Sequence, residues 1–166
     1  MATNILLAIL ITSLATYISR FLGVITSKKI KENSKIFKDI TLTLIGEGSR
    51  LKEYKESVAN LGLKDRVEFT GWLSNCAIQK LVAQSSLGLF PSRIESFGLS
   101  VVEAMAAGLP IVTASGGAIP ENVKEGVTGM LVPINNVDAL TKAIIFSLEN
   151  PQRAESLAKA AKTEVQ

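Results

Sequence analysis

The chain changes texture near residue 39. From Met1 to Ser27 apolar residues occur on every side, and Arg20 is the one charged side chain. Ile5–Ile25 has about the 20 residues needed to cross a hydrocarbon core as a helix, with Arg20 able to snorkel from near one end. Lys28, Lys29, Lys31 and Lys35 follow it. By the positive-inside rule, such an anchor leaves the rest of the chain on the cytoplasmic side, attached to the membrane through residues 5–25. The run has neither a basic leader nor a small-residue cleavage site, so a removable signal peptide is not expected. The alternative is a buried strand and helix of the main domain, because periodicity alone does not separate the two. Residues 1–35 are therefore set apart from a domain spanning 36–166.

Beyond Asp39, short apolar runs alternate with helical stripes. Ile40–Ile45 reads as a β-branched strand ending at Gly46. Arg50–Leu61 puts Leu51, Tyr54, Val58 and Leu61 on one helical stripe, and Gly62 stops it. Strands are expected at Val67–Phe69, Leu87–Phe90, Ile111–Thr113 and Gly129–Val132. Helices are expected at Asn75–Ala83, Gly98–Ala107, Val137–Leu148 and Gln152–Lys162. Strands alternating with helices predict an α/β fold, a Rossmann-like doubly wound parallel sheet. Ligands of such sheets bind beyond the carboxyl ends of the strands. The loops Gly46–Gly48, Pro91–Ser96 and Ser115–Pro120 all follow strands and would share that rim.

Composition removes several classes of chemistry. The 166 residues suffice for one full-sized core. The chain has no histidine, so Ser-His-Asp and Cys-His nucleophiles and histidine metal sites are excluded. Cys76 is the one cysteine, so no intrachain disulfide forms; at a helix start it is expected to be a small packed residue. The net charge is +3, but the basic residues are dispersed and aromatics make up 5% of the chain, which argues against a nucleic-acid groove.

One stretch carries the chemistry, running from Phe90 through Glu95-Ser96-Phe97-Gly98-Leu99 and Glu103 to Pro110. It reads as a strand, a loop and a helix opening at the rim. Ser96 is suited to cap that helix, and Gly98 admits a ligand close to the backbone. The amides of Phe97, Gly98 and Leu99, with the helix dipole, form a phosphate site. Helical side chains lean towards the N-terminus, which brings the Glu103 carboxylate within reach of two vicinal hydroxyls. Glu95 lies in the loop on the other side of the phosphate site. Taken singly these features are weak. Gly46-x-Gly48 is often only a tight turn, with Leu51 where a dinucleotide fingerprint wants its third glycine. Trp72 is suited either to border a base or to pack.

The stretch resembles the glutamate-seven-glutamate motif of the retaining GT-B glycosyltransferases of family 4. Ile40–Gly48 (ITLTLIGEG), Val67–Gly71 (VEFTG), Gly116–Glu121 (GGAIPE) and Glu125–Pro133 (EGVTGMLVP) match further signatures of that family, in its order. The resemblance covers about residues 36–166 and implies the C-terminal, donor-binding half of the GT-B fold. It implies hexosyl transfer from a nucleotide diphosphate sugar with retention, without a metal or other cofactor. By position, Glu95 would contact the hexose and Glu103 the ribose. The amides around Phe97, Gly98 and Leu99 would hold the diphosphate, with Ser96 in the same donor site, and Gly46, Gly48, Gly116 and Gly117 would line the same cleft.

The chain also departs from that family. A strand carrying Gly-Arg and a following lysine-glycine pair, which neutralise the diphosphate, are expected before Ile40. Residues 1–35 carry no such pattern, and Arg20, Lys28 and Lys29 stand at other spacings. Ile5–Lys29 instead looks like the first helix of an AzlD-type branched-chain amino-acid transport subunit. The acceptor-binding domain is expected to be missing or to be a separate subunit. Two further readings stand beside transfer: a catalytically silent nucleotide-sugar-binding module or decaying gene fragment, and a membrane-anchored interaction protein.

Overall fold

β-Branched and leucine-rich runs separated by glycine, proline and polar turns become the strands of a parallel sheet covered on both faces. The computed structural model describes residues 5–10 and 40–166. Its strands are β1 (Ile5–Leu10), β2 (Ile40–Ile45), β3 (Val67–Gly71), β4 (Leu87–Phe90), β5 (Ile111–Ala114) and β6 (Met130–Val132). The helices are α1 (Leu51–Asn60), α2 (Asn75–Gln84), α3 (Leu99–Ala107), α4 (Ile119–Asn122), α5 (Val137–Glu149) and α6 (Pro151–Glu164). The six strands lie in the order β3-β2-β1-β4-β5-β6, and every neighbouring pair is parallel.

This order corrects the reading of the N-terminus. Ile5–Leu10 is a strand, not the first turns of a spanning helix. It pairs with β2 from Ile5↔Ile40 to Leu10↔Ile45 and with β4 from Leu7↔Leu87 to Ile9↔Leu89. A boundary at residue 36 therefore divides one sheet. The likeness of Ile5–Lys29 to a transport-subunit helix fails over the same six residues. Among the described residues no helix is long and apolar enough to cross a membrane. The rest of the proposed anchor, residues 11–25, and the lysines after it lie outside the described residues.

Alternation along the strands sorts side chains between two apolar layers, as the period-two pleat requires. Leu42 and Leu44 of β2, Leu87 and Leu89 of β4 and Val112 of β5 face α1 and α5, where Tyr54, Val58, Leu140 and Ile144 complete a cluster. Phe90 and Ile111 face the other way, onto Val82 of α2, Val101, Ala104 and Met105 of α3 and Ala161 of α6. Two helices start on side-chain caps: Ser74 accepts from Ala77 N for α2 and Asn136 accepts from Ala139 N for α5. Pro151 begins α6 as its first residue, where a missing N–H costs nothing.

The order 3-2-1-4-5-6 reverses direction between β1 and β4. At such a reversal a crevice opens at the carboxyl ends of the two strands. The loop from β4 to α3 rises at that edge.

Candidate functional site

The loop at residues 91–98 enters from β4, whose four residues are all buried. Pro91 and Ser92 are buried, Arg93 and Ile94 are exposed, Glu95 is half-buried, and Ser96 and Phe97 are exposed. The loop passes into α3 through Gly98, which takes the left-handed conformation at φ 79°, ψ 41° and occupies the N-cap. This corrects the expected cap at Ser96. Val101 N and Val102 N both donate to the Gly98 carbonyl, at 2.9 and 3.1 Å, so the helix begins at Leu99. Its first amides, those of Leu99 and Ser100, have no intrahelical acceptor, as at any helix start. The unpaired amides of the helix start therefore sit about one residue later than the sequence suggests, at Gly98, Leu99 and Ser100. Glu103 stands one turn further on and is exposed.

The loop after β5 fixes that geometry. Ala118 N donates to the Glu95 carbonyl at 2.9 Å. A Cβ on Gly116 would lie 2.4 Å from the Arg93 carbonyl oxygen, and one on Gly117 would lie 2.1 Å from that of Glu95. Ile119 Cδ1 occupies the space beside Gly98, 2.5 Å from where a Cβ would be. Asn122 Nδ2 donates to the Phe97 carbonyl at 2.5 Å. Gly116 and Gly117, expected to line the cleft, lie close against the backbone of the loop that carries Glu95. Neither glycine tolerates a side chain there, because atoms that meet below 3.0 Å force one partner to move. The short helix α4 completes the brace with Ile119 buried beneath it. Glu121 is an exposed residue of α4. Asn122 was not singled out from the sequence; its place inside the GGAIPEN run was the one available signal.

At the neighbouring edge of the rim, Gly46 N donates to the Gly71 carbonyl at 2.9 Å, and Gly48 O accepts from Leu51 N to start α1. Gly46 and Gly48 thus stand at the end of β2, across β1 from the loop of β4. Arg50 at the start of α1 pairs with Glu53 at 2.5 Å and lies over the Tyr54 ring, 5.5 Å from its centroid. The hydrogen bond to Glu53 raises the Arg50 pKa, and its counterpart lowers that of Glu53. Burial raises the pKa of the Tyr54 hydroxyl. Trp72, just beyond β3, is 76% exposed and does not pack into the core. Cys76 is exposed as well, against the expectation of a packed residue. A shallow depression along α1, lined by Gly48, Lys52, Lys55 and Lys64 among others, adjoins this end of the rim but not α3.

Comparisons with known proteins agree with this architecture. The family model for glycosyl transferases group 1 matches residues 20–164. The chain is 35% identical over 127 residues to the N-acetyl-alpha-D-glucosaminyl L-malate synthase of Bacillus anthracis, covering 76% of this chain and 33% of that enzyme. It is 30% identical over 129 residues to a GDP-mannose-dependent phosphatidylinositol monomannoside mannosyltransferase of Mycolicibacterium smegmatis, covering 74% and 34%. Among solved structures it resembles HepE of Anabaena, determined with UDP and glucose, with a TM-score of 0.81 and 26% identity over 99% of this chain and 44% of that one. It shares the fold of the C-terminal domain of LpcC, a glycosyl transferase group 1 family protein of Francisella tularensis, with a TM-score of 0.80 and 21% identity. That likeness covers 97% of this chain and 84% of the domain. The chain spans about a third of the length of the curated relatives it matches. Since the family match takes in residues 20–164, well over half of the chain, the chain belongs to the group 1 glycosyl transferases.

Proposed function

We propose that this chain binds a nucleotide diphosphate sugar across the N-terminal end of α3 and forms the donor side of a retaining hexosyl transfer. One observation carries the reading. The braced loop 91–98 brings a carboxylate, a left-handed glycine and unpaired helix amides together at the reversal point of the sheet. In this assignment the amides of Gly98, Leu99 and Ser100 take the diphosphate, aided by the helix dipole, with Ser96 and Phe97 leading into them. Glu95 lies beside the hexose, and Glu103 accepts from the ribose hydroxyls. Gly46 and Gly48 form the wall at the end of β2, and Gly116 and Gly117 support the loop from behind. The likeness to HepE, which was determined with UDP and glucose, supports a nucleotide sugar as donor.

In the transfer itself the bond between the anomeric carbon and the diphosphate oxygen breaks, and the electron pair leaves on that oxygen. A bond forms on the same face between the anomeric carbon and an acceptor hydroxyl, whose proton passes to the departing diphosphate. Amides already aimed at the leaving group stabilise its charge without reorganising, and no metal or cofactor is called on. Acceptor binding is assigned to sequence of the kind the longer relatives carry outside the matched span, in the same polypeptide or a separate subunit.

A second reading, a silent nucleotide-sugar-binding module, is favoured by one observation: residues 1–35 lack the Gly-Arg and lysine-glycine pairs expected to neutralise the diphosphate. Both readings require donor binding. Titration calorimetry with UDP and GDP is expected to show binding that Glu103→Ala weakens by about 1.5–3 kcal/mol, the value of a hydrogen bond to a charged group. No binding, or binding indifferent to the substitution, would count against both. Release of nucleoside diphosphate from a panel of nucleotide sugars separates transfer from silent binding.

A further inference from the structure

We propose that Asn122 is a positioning residue of the donor site, one that locks the orientation of the peptide joining Phe97 and Gly98; this rests on the donor-site reading above. A trans peptide is planar, so the Phe97 carbonyl and the Gly98 N–H belong to one rigid unit and point in opposite directions. Asn122 Nδ2 holds the carbonyl towards α4. The Gly98 N–H is thereby turned away from α4, towards the open end of the helix where the diphosphate is assigned.

The need for such a lock follows from the glycine. Rotating this peptide changes φ at residue 98, and glycine accepts either sign of φ at little cost. The other braces bear on other atoms. The bond from Ala118 N holds the Glu95 carbonyl, and Ile119 fills the space beside the Gly98 Cα. They hold the loop in place but make no hydrogen bond to the 97–98 peptide. A carbonyl can be held only by a donor, and the Asn122 amide supplies it. An amide fixed before the ligand arrives binds charge without reorganisation, which is the advantage preorganised dipoles confer.

The test compares Asn122→Val, which removes the donor without adding charge, with Asn122→Asp, which keeps the shape and replaces the donor by a carboxylate. Calorimetry is run with UDP and GDP and with the matching nucleosides, alongside thermal melts. Asn122→Val is expected to weaken diphosphate binding about tenfold, the scale of one hydrogen bond to a charged group, with nucleoside binding unchanged. Asn122→Asp is expected to weaken it further, since its carboxylate repels the carbonyl it faces. A merely structural role would lower both ligands together, and that result overturns the proposal. So does diphosphate binding equal to that of the unsubstituted chain in either folded variant, while the donor-site reading stands. If the unsubstituted chain binds neither diphosphate, the donor-site reading fails and the proposal falls with it. Should Asn122→Val not fold, the isosteric Asn122→Asp decides the same question.

Discussion

Gly117→Ala is expected to reduce nucleoside diphosphate affinity about a hundredfold or more, the loss of two hydrogen bonds to a charged group at about 1.5–3 kcal/mol each. Two costs act at this position. The backbone sits at φ 58°, where an alanine costs about 1–2 kcal/mol. The new methyl would also stand 2.1 Å from the Glu95 carbonyl oxygen and 2.8 Å from its amide nitrogen. Backbone atoms on both sides of the contact cannot rotate out of the way, so the loop carrying Glu95 and leading to Gly98 must move. Gly62→Ala is the matched control. Its φ of 69° imposes the same backbone cost, but nothing lies within 4 Å of the added Cβ, far along the chain from the loop. The control should lose stability and keep its affinity. Equal affinities for the two variants would mean that loop 115–118 does not hold the site.

Deleting residues 1–35 is expected to abolish cooperative folding of the remainder. Among the described residues β1 is the only strand that joins β2 and β3 to β4, β5 and β6. Without it, strands spaced about 4.8 Å apart leave a gap of two spacings that no hydrogen bond crosses. The two fragments also share the apolar layer under α1 and α5, which would open along the missing strand. Circular dichroism during thermal melting should show no cooperative transition for residues 36–166. A sharp, reversible transition with native helical content would show instead that the N-terminal segment is dispensable, as an anchor would be.

The sheet beyond residue 39 was legible because short apolar runs cut off by glycine, proline and polar turns alternate there with helical stripes. Leu87–Phe90 emerges as a strand with the bounds read from the sequence. The stripe through Leu140 and Ile144 becomes the buried face of α5. Ile5–Leu10 was misread for a physical reason. A central strand of a parallel sheet is covered on both faces, so it shows no alternation and looks like part of any long apolar run. The helix cap was misplaced because Ser96 has the better capping side chain, whereas the chain turns two residues later, at the left-handed Gly98 with Ile119 against it. That contact joins residues far apart in sequence and leaves no local trace. The same holds for the support that Gly116, Gly117 and Asn122 give to residues 93–97. The sequence marks them as a motif and does not say which backbone they touch. Trp72 shows the converse: the sequence left it free either to pack or to border a ligand, and its exposure beyond β3 removes the packing role.

The central claim is that the braced start of α3 is where a nucleoside diphosphate binds. Amide chemical-shift mapping of the 166-residue chain titrated with UDP tests it most directly. The account predicts that the largest changes fall on the N–H groups of Gly98, Leu99 and Ser100, with smaller ones at Gly46 and Gly48. Changes confined to the lysine-lined depression along α1, at Lys52, Lys55 and Lys64, or no changes at all, would contradict it.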